Sequence, residues 1–201
     1  MMKNLLSMEH LTNEEILYML DRAQAFENGE ESKLTRAYHV ANLFFEPSTR
    51  TKTSFEMAER RIGCTVIPFD AGFSSALKGE TMYDTVKTLE MIGLDAVVIR
   101  AKEDEYYNEL LEGIDCAVIN AGDGAGQHPS QSLLDLYTIR KEFGTFEGLN
   151  ITIVGDISHS RVAKSNATAL TRLGANVRFL CPEEWAGEFE AAHCWDEVLE
   201  D

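Results

Sequence analysis

From residue 39 onward the chain repeats one pattern, in which a short apolar strand is followed by an amphipathic helix. Strands are predicted at residues 39–45, 64–69, 96–99 and 116–120, and helices at residues 51–62, 80–92 and 129–143. The third and fourth strands are almost wholly apolar, which is typical of parallel strands that are covered on both faces. The pattern therefore predicts an α/β fold with a parallel sheet flanked by helices.

A second, shorter α/β unit follows a break in this pattern. Two glycines fall within residues 144–148, and a new strand then begins at Asn150. An amphipathic helix and a strand at residues 177–181 follow it. We expect a domain boundary near Gly148, with domains at residues 1–148 and 149–201. The second is at the lower margin of length for a self-sufficient core, so only the start of an α/β domain is predicted there.

The charge balance argues against several classes of partner. Eighteen lysines and arginines stand against 34 aspartates and glutamates, and the formal net charge of −16 repels nucleic acid and anionic membranes. No apolar run reaches membrane-spanning length, and Glu9 interrupts the short apolar N-terminal run, so we expect a cytoplasmic protein. The four cysteines lack the paired spacing of a zinc site.

The most distinctive polar segment, residues 48–51, follows the first predicted strand. Ser48, Thr49, Arg50 and Thr51 stand at the start of a helix, where hydroxyls, a guanidinium and unpaired backbone N–H groups form an anion site. An arginine in the first turn opposes the helix dipole and is best explained by a bound anion. The segment predicts phosphate binding, although a simple helix cap at Ser48 or Thr49 is the alternative.

Other candidate residues also follow strands, where the ligand crevice of a parallel sheet lies. They are Arg100, His128, Gln131 and Arg161. Taken alone, Arg100 could be a surface arginine, His128 a helix-entry residue, and Lys78, in a loop of small residues, a solvated cation. The glycine-rich residues 122–126 match neither G-x-G-x-x-G nor P-loop spacing, so nucleotide binding is not predicted.

Several motifs, taken together and in order, resemble the carbamoyltransferase family. They lie at residues 44–51 (FFEPSTRT), 78–81 (KGET), 120–124 (NAGDG) and 128–131 (HPSQ). Within that family, residues 154–163 are similar to the catalytic chain of the aspartate branch, whereas the ornithine branch usually carries a different, often asparagine-rich segment there. The resemblance extends over essentially the whole chain.

This resemblance implies an activity and a set of carbamoyl phosphate ligands. The activity is transfer of the carbamoyl group to the amine of L-aspartate, giving N-carbamoyl-L-aspartate and phosphate in pyrimidine biosynthesis, with no metal or organic cofactor. The residues implied to bind carbamoyl phosphate are Ser48, Thr49, Arg50, Thr51, Arg100, His128 and Gln131. Of these, Thr51, Arg100 and His128 are expected to donate to the developing oxyanion. Gln131 is expected to contact the carbamoyl NH2.

The resemblance also implies an aspartate site that is shared between subunits. Arg161 is expected to pair with an aspartate carboxylate, and Lys78 to reach phosphate and aspartate from a neighbouring subunit. The serine that accompanies Lys78 is Ser74 or Ser75, and ungapped counting favours Ser74. Shared sites imply at least a homotrimer, and larger assemblies with regulatory or other pathway chains stay open. No nucleic acid or membrane partner is expected.

Two motifs of the family's aspartate side are not found. Beyond Arg161, neither an Arg-x-Gln arrangement nor a Pro-Leu loop occurs before Asp201, so the aspartate-binding domain at residues 149–201 is expected to be incomplete. A fragment and a shortened homologue both fit this pattern. The alternatives to an aspartate carbamoyltransferase are an ornithine-type enzyme and a truncated carbamoyl phosphate-binding or assembly protein without turnover. Activity of the 201-residue chain stays open.

Overall fold

The computed structural model describes residues 3–31, 34–71 and 79–199. Its helices are α1 (Asn13–Glu27), α2 (Thr49–Ile62), α3 (Met82–Ile92), α4 (Asn108–Leu111), α5 (Pro129–Phe143), α6 (Arg161–Arg172) and α7 (Asp196–Leu199). Its strands are β1 (His39–Phe44), β2 (Thr65–Ile67), β3 (Ala96–Ala101), β4 (Ala117–Asp123), β5 (Asn150–Val154) and β6 (Asn176–Leu180). The predicted loop residues Ser74, Ser75 and Lys78 lie outside the described residues.

The named strands pair in parallel within two sheets. The larger sheet has the order β2-β1-β3-β4, and β5 and β6 form a separate two-stranded sheet. The predicted fold class, a parallel α/β sheet flanked by helices and followed by the start of a second α/β unit, is confirmed. No helix within the described ranges is both long and apolar enough to cross a membrane.

The chain divides into two compact units. The first consists of Met1–Leu6 and Ala25–Gly124, and the second of Ser7–Gln24 and Ala125–Asp201. The larger sheet belongs to the first unit, whereas α5, α6 and the two-stranded sheet belong to the second. The domain boundary expected at residue 148 stays a prediction.

Apolar side chains cover both faces of the larger sheet. On one face Leu43 and Ile99 are fully buried in a cluster that includes Val86 of α3. On the other face Val98 packs in a separate cluster with Phe55 of α2. Because neighbouring residues of a strand point to opposite faces, burial on both sides requires a nearly continuous apolar run. This explains the composition of β3 and the first half of β4.

The strand order creates a topological switch point between β1 and β3. The chain runs outward from β1 to β2, and then crosses back to place β3 on the other side of β1. In a parallel sheet, the crevice beyond the carboxyl ends of the strands at such a point is the usual ligand site. Phe44 of β1 is in register with Arg100 of β3, so the segment after β1 and the end of β3 meet at this edge.

The second unit has a small core of its own around β5, β6 and α6. Ile157, Ala163 and Cys181 are buried together there, and Phe179 and Phe189 pack against them. The two phenylalanine rings lie 4.9 Å apart between centroids. Strand β5 remains half-buried or exposed along its whole length, ending at Val154, which is 52% exposed.

Candidate functional site

The predicted phosphate segment forms the start of α2. Ser48 is the N-cap residue with extended backbone, and Thr49, Arg50 and Thr51 form the first turn, so the helix begins two residues earlier than predicted. Within the described chain, the Ser48 side chain makes no capping hydrogen bond, and the first turn holds no acidic residue. The first backbone N–H groups of a helix have no partner inside it. This start therefore offers backbone donors, hydroxyls and one guanidinium to an anion.

A buried polar pair anchors the far half of α2 to β1. Asn42 Nδ2 donates to Glu59 Oε2 at 2.8 Å, and both residues are almost fully buried. Burial raises the pKa of the Glu59 carboxyl above its ordinary value, although the Asn42 hydrogen bond opposes this shift. This pair is not among the residues predicted from the sequence. Its available signal was that Glu59 follows Phe55 by four residues, which places it on the apolar face of the helix.

Arg100 lies at the switch point, where the pairing of β3 with β4 is irregular. The register shifts between Ile99 and Ala101, and such bulges redirect side chains near functional sites. Arg100 Nη1 donates to the carbonyl of Ala121 at 3.5 Å, and the backbone carbonyl of Arg100 accepts from Phe45 N at 2.9 Å. The first contact holds the guanidinium against β4, and the second joins the backbone of Arg100 to the chain that leaves β1.

Glu46 joins the candidate site although it is not among the residues predicted from the sequence. Its Oε2 lies 3.3 Å from Arg100 Nε, and the two side chains are 25% and 14% exposed, respectively. Glu46 stands two residues before Ser48, inside the motif at residues 44–51. Its position in that motif was the only signal in the sequence. The carboxylate links the predicted oxyanion donor to the chain just before the predicted phosphate segment, residues 48–51.

The glycine-rich end of β4 serves the structure of the first unit. Asn120 Nδ2 donates to Asp123 Oδ1 at 3.0 Å, and Glu105 N donates to Asp123 Oδ2 at 2.7 Å. Both Asn120 and Asp123 are fully buried. Gly124 has a φ of +38°, and a Cβ there would collide with Asp104 and with the carbonyl of Lys102. These residues therefore shape the turn after β4.

In the second unit, a buried hydrogen-bond chain fixes the backbone of His128. His128 is the N-cap residue of α5, and its N–H donates to Ser165 Oγ at 3.0 Å. Ser165 Oγ in turn donates to Gln127 Oε1 at 2.8 Å. The His128 ring nitrogen Nδ1 lies 3.3 Å from Ser130 Oγ. Because Ser165 is on α6, this chain ties the start of α5 to the first half of α6.

Gln131 lies in the first turn of α5 and is held by a carboxylate one turn later. Its Nε2 donates to Asp135 Oδ1 at 3.0 Å, while Asn166 Nδ2 of α6 donates to Asp135 Oδ2 at 2.7 Å. Asp135 is also not among the residues predicted from the sequence. The only sequence signal is its spacing of four residues from Gln131, which places both on one face of the helix.

Arg161 is the first residue of α6. Ser160 caps this helix through its Oγ, which accepts from Ala163 N at 3.1 Å. In the preceding loop, Asp156 Oδ1 accepts from Ser158 Oγ and lies 3.0 Å from His159 Nδ1. The hydrogen bond with His159 holds the pKa of Asp156 below its ordinary value. A guanidinium at a helix start, next to an ordered loop, is suited to bind a carboxylate.

The structure thus groups the predicted residues within each unit. The first unit brings the start of α2 and Arg100 to one edge of its sheet. In the second unit, His128 and Gln131 lie at the start of α5. This helix start is hydrogen-bonded to Ser165 of α6, four residues after Arg161. In the part of the chain that the structure describes, no three His, Cys, Asp or Glu side chains cluster closely enough to hold a metal ion. The individual roles of these residues stay predictions.

Comparison with known proteins gives matches to a family model and to solved structures. The model described as aspartate/ornithine carbamoyltransferase, carbamoyl-P binding domain, matches residues 3–141. Aspartate transcarbamoylase from Trypanosoma cruzi in complex with carbamoyl phosphate is 32% identical with a TM-score of 0.81, covering 91% of this chain and 61% of that chain. The complex with N-(phosphonacetyl)-L-aspartic acid is 33% identical with a TM-score of 0.83 and the same coverage.

A third structure from Trypanosoma cruzi, the complex with carbamoyl phosphate and aspartate, is 33% identical with a TM-score of 0.79. It is matched over 89% of this chain and 56% of that chain. The present chain thus spans about three fifths of the length of these relatives. The family match covers well over half of the chain, and the resemblance predicted from the sequence is confirmed. The chain belongs to the aspartate/ornithine carbamoyltransferase family of enzymes.

Proposed function

We propose that this chain is the catalytic chain of an aspartate carbamoyltransferase. It would transfer the carbamoyl group of carbamoyl phosphate to the L-aspartate amine, giving N-carbamoyl-L-aspartate and phosphate in de novo pyrimidine biosynthesis. The observation that carries the proposal is the start of α2, which presents first-turn N–H groups, hydroxyls and a guanidinium at the same sheet edge as Arg100. Relatives with about one third identity have been solved with carbamoyl phosphate alone and together with aspartate, which supports this choice of substrates.

In the proposed reaction, the start of α2 binds the phosphate group. The first-turn N–H groups, the hydroxyls of Ser48 and Thr49, and the guanidinium of Arg50 supply the donors. Attack by the amine forms the new C–N bond and turns the carbonyl oxygen into an oxyanion. A single preorganised donor to such an oxyanion is worth about 2.7–4 kcal/mol. Thr51, Arg100 and His128 are assigned this task.

The oxyanion then collapses and breaks the bond between the carbonyl carbon and the phosphate oxygen. The leaving phosphate takes the electron pair, and it can accept the proton released by the amine. The chain's own residues contribute by holding the two substrates in line and by stabilising charge. No step of this proposal is assigned to a metal or an organic cofactor.

Arg161 is assigned to an aspartate carboxylate, because a guanidinium can donate two parallel hydrogen bonds to it. Lys78 and Ser74 are assigned to a neighbouring subunit's site. We therefore propose a homotrimer with shared sites. Larger assemblies with regulatory chains are compatible with this arrangement.

Two alternative functions can be distinguished from the proposed one by experiment. An ornithine-type enzyme shares the carbamoyl phosphate site but uses a different amine. A carbamoyl phosphate-binding protein without turnover would use the same first unit, and because the chain spans 61% of the relative's length, binding and turnover have to be measured separately.

The test combines titration calorimetry with an activity assay on the same purified sample. We expect saturable binding of carbamoyl phosphate, followed by formation of carbamoyl-aspartate when L-aspartate is added. Formation of citrulline from ornithine, with no product from L-aspartate, would contradict the aspartate assignment. Binding without product from either amine would favour the binding protein, and absence of carbamoyl phosphate binding would reject the whole proposal.

A further inference from the structure

We propose that Asp135 makes the site selective for a carbamoyl group, by fixing the direction in which the Gln131 carboxamide points. The inference rests on the proposed function, in which Gln131 contacts the NH2 of carbamoyl phosphate. It adds a positioning residue that itself does not contact the substrate.

Two hydrogen bonds hold the Asp135 carboxylate. Oδ1 accepts from Gln131 Nε2 at 3.0 Å, and Oδ2 accepts from Asn166 Nδ2 at 2.7 Å. The first bond lies within α5, and the second comes from α6. All three side chains are half-buried, so water competes less for these contacts than it would at an open surface. The carboxylate is therefore held from two helices at once.

The Asp135 carboxylate determines which end of the Gln131 carboxamide faces away from it. A carboxamide has a donor end and an acceptor end, and the two are similar in shape. An ionised carboxylate can only accept hydrogen bonds, so the nitrogen must face Asp135. The carbonyl oxygen Oε1 is then directed away from Asp135, as an acceptor. An acceptor is the group needed to recognise the NH2 of a carbamoyl group.

The simpler explanation is that Gln131 and Asp135 form a helix-stabilising pair at a spacing of four residues. The contact from α6 argues against this as the whole account. Among the described residues, Asn166 Oδ1 is buried without a hydrogen-bond partner, while its Nδ2 is committed to Asp135. A pair that only stabilised α5 would need no donor from a second helix. Asn166 instead adds a second fixed donor that holds the carboxylate in place.

The consequence is discrimination between two ligands of nearly equal shape. Acetyl phosphate carries a methyl group where carbamoyl phosphate carries NH2. The outward Gln131 oxygen would accept a hydrogen bond from the NH2 but would be left unpaired against the methyl. Sites that hydrogen-bond a polar group reject analogues that lack it far more strongly than apolar pockets do.

The test compares the dissociation constants of the two ligands for the full chain and for Asp135→Asn. An asparagine at this position can present either its oxygen or its nitrogen, so it no longer dictates the Gln131 orientation. We expect the wild type to prefer carbamoyl phosphate over acetyl phosphate. In Asp135→Asn this preference should fall at least about tenfold, because carbamoyl phosphate binds more weakly. Acetyl phosphate affinity should stay within about twofold. Glu142→Gln, an exposed carboxylate at the other end of α5, is the matched control.

The ratio of the two affinities separates positioning from structure. If Asp135→Asn weakens both ligands equally, its role is structural and the inference is overturned, as it also is if the ratio does not change. Asn166→Ala removes one of the two contacts on Asp135 and should lower the ratio in the same direction, which keeps the test available if Asp135→Asn does not fold. In a Gln131→Met background, Asp135→Asn should leave the ratio unchanged. If the wild-type chain binds neither ligand, it is the proposed function that fails.

Discussion

Arg100 Nε lies 3.3 Å from Glu46 Oε2, in a pair that joins the end of β3 to the segment after β1. Both side chains are mostly buried, so the pair is shielded from solvent more than a surface ion pair is. It fixes the guanidinium at the switch point, beside the start of α2.

Glu46→Gln should therefore disturb Arg100 without disturbing the predicted phosphate segment. We expect carbamoyl phosphate affinity to fall about tenfold, because the guanidinium loses its charged partner and its fixed position. Inorganic phosphate, which is assigned to α2, should bind equally or slightly more tightly, since a nearby negative charge is removed. Calorimetry with both ligands checks this, with the exposed Glu109→Gln as control. Equal weakening of both ligands would contradict the assignment.

Arg50→Ala should remove ligand affinity and leave stability nearly unchanged. Arg50 is exposed in the first turn of α2, where a cation opposes the helix dipole. Loss of a charged hydrogen bond should weaken inorganic phosphate binding by about 10- to 100-fold. Arg61→Ala removes the same charge from the last turn of α2 and should bind phosphate like the wild type. Calorimetry and urea denaturation of both variants measure the two effects, and unchanged phosphate binding by Arg50→Ala would refute its role.

A site shared between subunits makes a prediction about mixed oligomers. Chains with Lys78→Ala and chains with Arg50→Ala should each lack activity, yet a mixture should recover part of it, because some sites would combine an intact Arg50 with an intact neighbouring lysine. Activity before and after dissociation and reassembly measures the rescue. Verified mixed trimers that stay inactive would argue against sharing.

Glu59→Gln should stabilise the protein at alkaline pH. The raised pKa of Glu59 means that the folded state holds its proton more tightly than the unfolded state, so stability is highest at low pH and falls as the pH rises through the folded pKa. Within the described residues, Glu59 Oε1 and Asn42 Oδ1 are both buried acceptors without a donor. A glutamine could donate to the asparagine oxygen while accepting from its nitrogen.

We expect Glu59→Gln to raise the free energy of unfolding by about 1–3 kcal/mol at pH 8, and by less at pH 5. Urea denaturation at the two pH values measures the difference. Glu109→Gln, which changes an exposed carboxylate on α4, should show no such dependence. A destabilised Glu59→Gln at pH 8 would show that the charged carboxylate is needed at this position.

Ser165→Ala should loosen the start of α5. It removes the buried hydroxyl that accepts from the His128 N–H and donates to Gln127 Oε1. We expect the free energy of unfolding to fall by about 1–3 kcal/mol. Thr171→Ala, exposed on the same helix, is the control, and urea denaturation makes the comparison. Equal stability of the two variants would mean that water replaces the serine hydroxyl.

The sequence predicts elements well where chemical signals mark their ends. Helix α5 runs from Pro129 to Phe143 as predicted, because proline favours a helix start and Gly144 adopts a left-handed conformation just past the end. Helix α2 begins before its predicted start, since Ser48 rather than a later residue takes the N-cap position. The single turn of α4 was not predicted, because four residues carry no periodic signal.

The candidate site was predicted to a similar extent. The residues that follow strands could be named, since the carboxyl edge of a parallel sheet is fixed by topology. Their partners could not, because Glu46 meets Arg100 and Asp135 meets Asn166 only after distant segments have folded together. Such contacts leave no periodic trace along the chain.

At the Ser48 position, at the start of α2, a substitution that raises thermal stability is expected to weaken ligand binding. Within the described chain, Ser48 makes no capping hydrogen bond, whereas Ser160 caps α6. An aspartate at position 48 could close the helix start with its own carboxylate, gaining about 0.3–1 kcal/mol from the dipole. That carboxylate would occupy the place of the phosphate. A screen for thermostable variants would therefore tend to enrich this change and to lose the proposed phosphate binding with it.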